Sequence, residues 1–406
     1  MEFQDIVLGN GIRCILKQTK SPVIHCGLTI GTGTREEEKQ EHGIAHLIEH
    51  LLFKGTQRRK PYHINSLLDN VGGEMNAYTT KEETVVHAST LKKDFVKAAD
   101  LISDVAFHSV FNPAELEKER RVILDEINSY KDTPSELIYD DFEDMVFEGY
   151  SLGRNILGSK RELAKFTSND LKNFVTRCYN TDCMVFSVVG NLSMQRFETI
   201  CRRYFGELPA NPRRFKRTAP ISYKRQDKIV SKGTYQTHCI LGGRAYNHKH
   251  KKRAVLALLM NILGGPSANS RLNLAIREKN GLSYSVDAAY TSYEDTGIAS
   301  IYFGTDKENI DKCLQLASRE LQRIKNEPLS HTQLSIAKKQ LLGQLIISTE
   351  SNESYMLSGG KSFLIYNEVD SFEKVAAKIN HISASDLMDV ANEIFDEKNI
   401  SSLIYK

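Results

Sequence analysis

Three residues early in the chain, His46, Glu49 and His50, are spaced H-x-x-E-H, the reverse of the H-E-x-x-H arrangement that binds metal from one helix. If residues 43–53 are helical, the two imidazoles lie about 40° apart around the axis, so one cation can meet both while Glu49 faces the same space. Zinc suits such ligands, and a carboxylate beside it can take a proton from water, which is the chemistry of hydrolysis. The neighbours Ile44, Ala45, Leu47, Ile48, Leu51, Leu52 and Phe53 make the segment apolar nearly all round. Such a helix is expected to be buried, where two imidazoles and a carboxylate are costly unless a metal or a hydrogen-bond network compensates them.

Catalytic zinc commonly takes three protein ligands and keeps a fourth position open. The helical pattern over residues 114–130 carries Glu115, Glu117, Glu119, Asp125 and Glu126. The residues alone imply that one of these carboxylates crosses the metal helix. They are equally the composition of a solvated acidic face.

The elements needed to hold such a site occur twice. Strand-like segments at 11–16 and 24–30 are answered by 235–242, and the apolar helix at 43–53 by one at 253–263. Strands follow around 73–89 and 282–303, then amphipathic helices over 93–109 and 310–325. Asn112-Pro113 and Glu327-Pro328 break the chain before further long helices at 114–130 and 329–348. This order repeats at roughly 215 residues, the mark of a duplication. Strands grouped between helix pairs favour an α+β fold of two similar domains, each an antiparallel-rich sheet packed with helices. The expected division is a metal domain over 1–208, a linker over 209–228 rich in proline and arginine, and a metal-free domain over 229–406. The second copy of the apolar helix has no His or Glu pair, so only the first half keeps the site.

The 406 residues are enough for two cores, and no apolar run is long enough to span a membrane. With 54 basic and 51 acidic residues the formal charge is +3, too balanced to indicate nucleic-acid or membrane binding. The seven cysteines are scattered without C-x-x-C, which reads as reduced thiols that fill the core. The first residues lack a basic stretch followed by an apolar core, so the expectation is a bacterial cytoplasmic protein.

H-x-x-E-H followed by Glu126, 76 positions after His50, with Glu119 seven residues before it, resembles the pitrilysin/insulinase metallopeptidases, the family of the mitochondrial processing peptidase β subunit. Four segments carry the resemblance further: Ala45-His-Leu-Ile-Glu-His-Leu-Leu-Phe-Lys-Gly-Thr56, Gly72-Gly-Glu-Met-Asn-Ala-Tyr-Thr79, Glu119-Arg-Arg-Val-Ile-Leu-Asp-Glu-Ile127 and Leu152-Gly-Arg-Asn-Ile-Leu-Gly158. The resemblance implies one zinc per chain on His46, His50 and Glu126, with Glu49 as general base and Glu119 as supporting carboxylate. It implies that Asn76 and Ala77 lie on a strand edge that accepts an extended peptide. It also implies that Arg277 and Tyr284 hold substrate and the developing oxyanion, and that the glycine-rich loop at Gly264 and Gly265 contacts substrate.

In that family a metal half faces a metal-free half inside a chamber of four domains, and this chain has two. The expectation is therefore a homodimer with composite sites, Arg277 and Tyr284 of one subunit serving the zinc of the other, with a metal-free paralogue as the rival partner. Substrates are then short or unfolded peptides. The alternatives are an idle scaffold subunit, disfavoured because the motif positions are all present, and presequence removal with a partner subunit.

Overall fold

The structure is a computed structural model and describes residues 3–406. It divides into two compact units.

Unit 1 comprises residues up to Ile127 together with Arg154–Arg217 and Ile347–Val369. Its sheet is built from β1 (Gln4–Val7), β2 (Arg13–Gln18), β3 (Val23–Ile30), β4 (Glu74–Thr79), β5 (Thr84–Leu91) and β6 (Met184–Gly190). The order is β1-β2-β6-β3-β5-β4, and every pair is antiparallel except β2 with β6. In β3, alternation sends Ile24, Cys26, Leu28 and Ile30 into the core formed with the helices Ile44–Leu52, Phe95–His108 and Met194–Phe205. Its other face, through Gly27, meets Met356 of the helix Asn352–Tyr366. β6 is buried along its whole length because both faces of the sheet are covered there.

Unit 2 comprises Asn128–Gly153, Thr218–Ile346 and Asp370–Lys406. Its strands are β7 (Asp227–Val230), β8 (Thr237–Ala245), β9 (Ser285–Ser292), β10 (Gly297–Thr305) and β11 (Ser401–Tyr405), in the order β7-β11-β8-β10-β9. Only β7 with β11 is parallel. One face carries Cys239, Ala299, Ile301 and Phe303 against the helices Arg253–Gly264, Ile310–Asn326 and Ala384–Ile394. The other carries Ile240, Tyr302, Leu403 and Tyr405 against the helix Pro134–Val146.

The two sheets repeat one plan, as the duplicated element order implied. The units themselves are not contiguous stretches of chain. Pro134–Val146, from the first half of the sequence, packs in unit 2, and Asn352–Tyr366, from the second half, packs in unit 1. Residues 209–226 contain no helix or strand, β7 begins at Asp227 within the stretch 209–228 expected as a linker, and the first part of that stretch is strapped to unit 1. There Asn211 donates to the carbonyls of Thr176 and Tyr179, and Arg217 reaches Glu36 at 2.6 Å and the Gly31 carbonyl at 3.2 Å. Among the described residues no helix is long and apolar enough to cross a membrane. All seven cysteines are free, and all but Cys183 are buried.

Candidate metal centre

The helix Ile44–Leu52 is entered through Gly43, whose φ of 98° is left-handed, and Gly158 presses against it from the 152–158 motif with φ of 80°. A Cβ on Gly43 would lie 2.8 Å from the Gly158 Cα, so both positions require glycine. Around this contact, Arg154 donates to the Glu37 and Glu38 carbonyls, and His42 meets the Asn155 carbonyl. Glu37, wholly buried, accepts the N–H groups of Gly43 and Ala45 at 3.0 Å each and so caps the helix from a distance. Together these contacts fix where the helix that carries His46 and His50 begins.

From that helix His46 and His50 project side by side, with ring centroids 4.6 Å apart and planes at 75°. The helix Pro113–Lys131 brings Glu126 opposite them, with Oε2 at 3.8 Å from His46 Nε2 and 3.7 Å from His50 Nε2. The ligand atoms of His46, His50 and Glu126 all lie within 4.8 Å of one another, and no other such group of three occurs among the described residues. Two atoms held at zinc bonding distance in a tetrahedron are about 3.4 Å apart, so little movement is needed to seat the ion.

The surroundings also suit a cation. His46 is buried, its Nδ1 has no hydrogen-bond partner, and desolvation, helped by the neighbouring His50, pushes its pKa down to about 4. Burial thus keeps the imidazole neutral, the form in which histidine binds a metal. His50 Nδ1 meets Glu119 Oε2 at 3.1 Å, which directs its Nε2 towards Glu126. The other oxygen of Glu119 meets Lys54 Nζ at 2.9 Å. Glu49 is half-buried. Burial raises its carboxyl pKa.

β4, which carries Asn76 and Ala77, is the edge strand of its sheet. Thr80 N–H bonds the Glu83 carbonyl at 2.8 Å, so in this register Tyr78 and Asn76 direct their backbone groups inward to β5. Those of Thr79, Ala77 and Met75 face the open side. Ala77 N–H is met there by the side chain of Asn76, at 2.9 Å.

Residues 13–160 match the family described as Insulinase (Peptidase family M16), and residues 165–341 match the Peptidase M16 inactive domain. An uncharacterized zinc protease of Bacillus subtilis, YmxG, is 32% identical over 97% of this chain and 96% of its own length. The chain belongs to the M16 insulinase family of peptidases. An uncharacterized zinc protease of Rickettsia felis is 31% identical over 92% of this chain and 90% of its own. Two crystal structures share the M16 fold. A protease from Helicobacter pylori matches with a TM-score of 0.90 at 22% identity, covering 100% of this chain and 99% of its own. A peptidase M16 inactive domain from Pseudomonas fluorescens matches at 0.93 and 20%, covering 100% and 98%.

Within this M16 chain, the residues expected from the second half belong to unit 2. Arg277 lies in the last turn of a short π-helical stretch, Asn273–Glu278, half-exposed and 3.5 Å from Glu278. Tyr284 is 88% exposed at the mouth of a cavity of about 380 Å³ lined also by Ser135, Tyr139, His238 and Tyr302. Gly264 closes the helix Arg253–Gly264 against β9, where a Cβ would meet Ala288 Cβ at 2.7 Å, so its lack of a side chain serves packing. Sequence reasoning missed Lys54 and Glu37, which act on the site through other residues. No spacing rule ties a loop carboxylate to a helix motif.

Proposed function

We propose that this chain is a zinc-dependent endopeptidase of short or unfolded peptides, with one zinc per chain held by His46, His50 and Glu126. The observation that carries this reading is the convergence of two imidazole nitrogens and a carboxylate oxygen, within 4.8 Å, beside a carboxylate that is not among the three. Zinc, when bound, lowers the pKa of water towards neutrality and polarises a carbonyl. Glu49 takes the proton that the attacking water loses and returns it to the departing amine. Glu119 keeps the proton of His50 on Nδ1, which leaves Nε2 free as a donor atom. Ala77, on the open edge of β4, offers main-chain groups to an extended peptide, and Asn76 yields the Ala77 N–H when a peptide carbonyl arrives.

The same reading gives Arg277 a substrate-holding role and Tyr284 a proton-donating one, and its setting is a homodimer in a bacterial cytoplasm. A mixed dimer of Glu49→Gln and Tyr284→Phe chains should then recover activity, because one complete site forms. No recovery would remove the composite-site arrangement.

The test of the peptidase itself is cleavage of a quenched peptide library of about 10–20 residues by the purified chain, alongside Glu49→Gln and chelator with zinc add-back. Activity that vanishes in both arms and returns with zinc supports the proposal. One zinc per chain with no cleavage would point to a scaffold subunit.

A further inference from the structure

Arg277 leaves the chain from a segment whose winding is unusual. Each sheet has a helix shortly before its outer strand, β4 in unit 1 and β9 in unit 2. In unit 1 this is Pro61–Asp69, an α-helix, and Gly72, with φ of 71°, lies three residues past its end. In unit 2 Gly281, with φ of 61°, lies three residues past the end of Asn273–Glu278, yet that stretch is π-helical. The fold therefore accepts α winding at this place, and π turns are rare and persist mostly where function needs them.

Side chains hold the wide turn. Asn273 is 6% exposed and donates from Nδ2 to Ser270 Oγ at 2.8 Å and to the Val286 carbonyl of β9 at 3.4 Å. Lys279 N–H bonds the Leu274 carbonyl, five residues back, at 3.1 Å, and the Asn280 side chain takes the Ala275 carbonyl at 2.8 Å. Leu282 N–H reaches the Ile276 carbonyl at 3.0 Å and Gly281 N–H that of Arg277 at 2.8 Å, so the carbonyls of residues 274–277 are all taken. An α turn closes in 3.6 residues and a π turn in more, so over the five residues from Leu272 to Arg277 the two windings part by roughly a quarter-turn. Leu272 is anchored in the core, and rewinding the stretch as α would carry the half-exposed guanidinium that far around the axis. A guanidinium is a rigid planar fork, whose grip depends on its direction.

Resting on the peptidase reading, in which Arg277 holds substrate, we infer that Asn273 is a positioning residue for Arg277. It keeps the π winding that aims the guanidinium, and Asn280 supports that winding from the exposed end of the stretch.

The test is a double-mutant cycle on the full-length chain. It uses Asn273→Leu, which keeps the volume and removes both donors, Arg277→Ala, and the two together. KM and kcat for a quenched peptide, zinc content by elemental analysis and thermal melting are measured on each. Arg277→Ala should raise KM about 10–100-fold, the loss of hydrogen bonds to a charged group. Asn273→Leu should raise KM about three- to tenfold, with kcat within about twofold and zinc at the wild-type content, because the metal ligands and the base are untouched. In the Arg277→Ala background the same leucine should change KM by less than about twofold, since no guanidinium is left to aim. If Asn273→Leu fails to fold, Asn280→Ala, at an exposed position, runs the same cycle with a smaller rise. Wild-type KM in Asn273→Leu, or an equal loss with and without Arg277, would overturn the inference and leave the peptidase reading intact. Wild-type KM in Arg277→Ala would remove the substrate-holding role and the inference with it. A wild-type chain that cleaves no peptide would remove the peptidase reading and everything resting on it.

Discussion

Counted from their first residues, the helices Ile44–Leu52 of unit 1 and Arg253–Gly264 of unit 2 place His46, Glu49 and His50 where the second has Val255, Leu258 and Leu259. Leu258 and Leu259 are fully buried in the core of their unit. The same architecture stands with leucine where the other copy holds a desolvated imidazole and carboxylate. The fold therefore does not need the polar set, which in unit 1 fits the proposed role of holding a metal.

The largest effect that could break this comparison is on catalysis. Glu49→Gln should bind zinc like the wild type yet lose about 10²–10⁴-fold in kcat, measured on the quenched peptide. An active Glu49→Gln would mean that the polar copy has no base there. Next come stability and metal content, which should separate cleanly between the two helices. Leu259→Ala should cost about 2–5 kcal/mol in denaturant unfolding and leave zinc content unchanged. His50→Ala should do the reverse, abolishing zinc binding at a smaller cost in stability. Similar unfolding losses for both variants would show that His50 is a core residue first.

A smaller effect sharpens the account of the supporting carboxylate. Glu119→Gln should weaken zinc about 10–100-fold in competition with a chelator. Lys54→Met should act in the same direction but less, because the lysine is partly exposed. The gentlest test concerns how each helix starts. In unit 2 no side chain caps the helix Arg253–Gly264, whereas burial pushes the Glu37 carboxyl in unit 1 up from 4.5 to about 8. The folded chain then keeps a proton that the unfolded chain releases. The associated stability is complete below pH 4.5 and drains away as pH rises through 8, by at most about 1.4 kcal/mol per pH unit. Urea unfolding from pH 5 to 9 should show this slope in the wild type and not in Glu37→Ala. A flat wild-type profile would mean that the carboxylate is already ionised by its N–H donors.

What could be read from the sequence follows from how local the signal is. The helix at 44–52, the hairpin strands β4 and β5 and the long helices past Pro113 and Pro328 all announce themselves by period or by proline. His46, Glu49 and His50 lie within one turn and a half of helix, so spacing alone predicts that they meet. Glu126 is different, since periodicity left five acidic residues as equals and only the family resemblance selected one. β6, Met-Val-Phe-Ser-Val-Val-Gly, is apolar on both faces and has no alternation to mark it as a strand. Lys54 was invisible for another reason: it reaches the site through a tertiary contact made by an ordinary residue type.

The crossing of Pro134–Val146 and Asn352–Tyr366 between the units bears on how the chain is made. Unit 1 cannot be completed on the ribosome when residue 217 emerges, because the helix that covers β3 and β6 lies more than a hundred residues downstream. Its sheet must wait with one face bare, and His46, His50 and Glu126, all synthesised in the first third of the chain, wait with it. Cutting the gene between its two similar halves would therefore yield two fragments that each lack a wall, and activity should return only when both are expressed together.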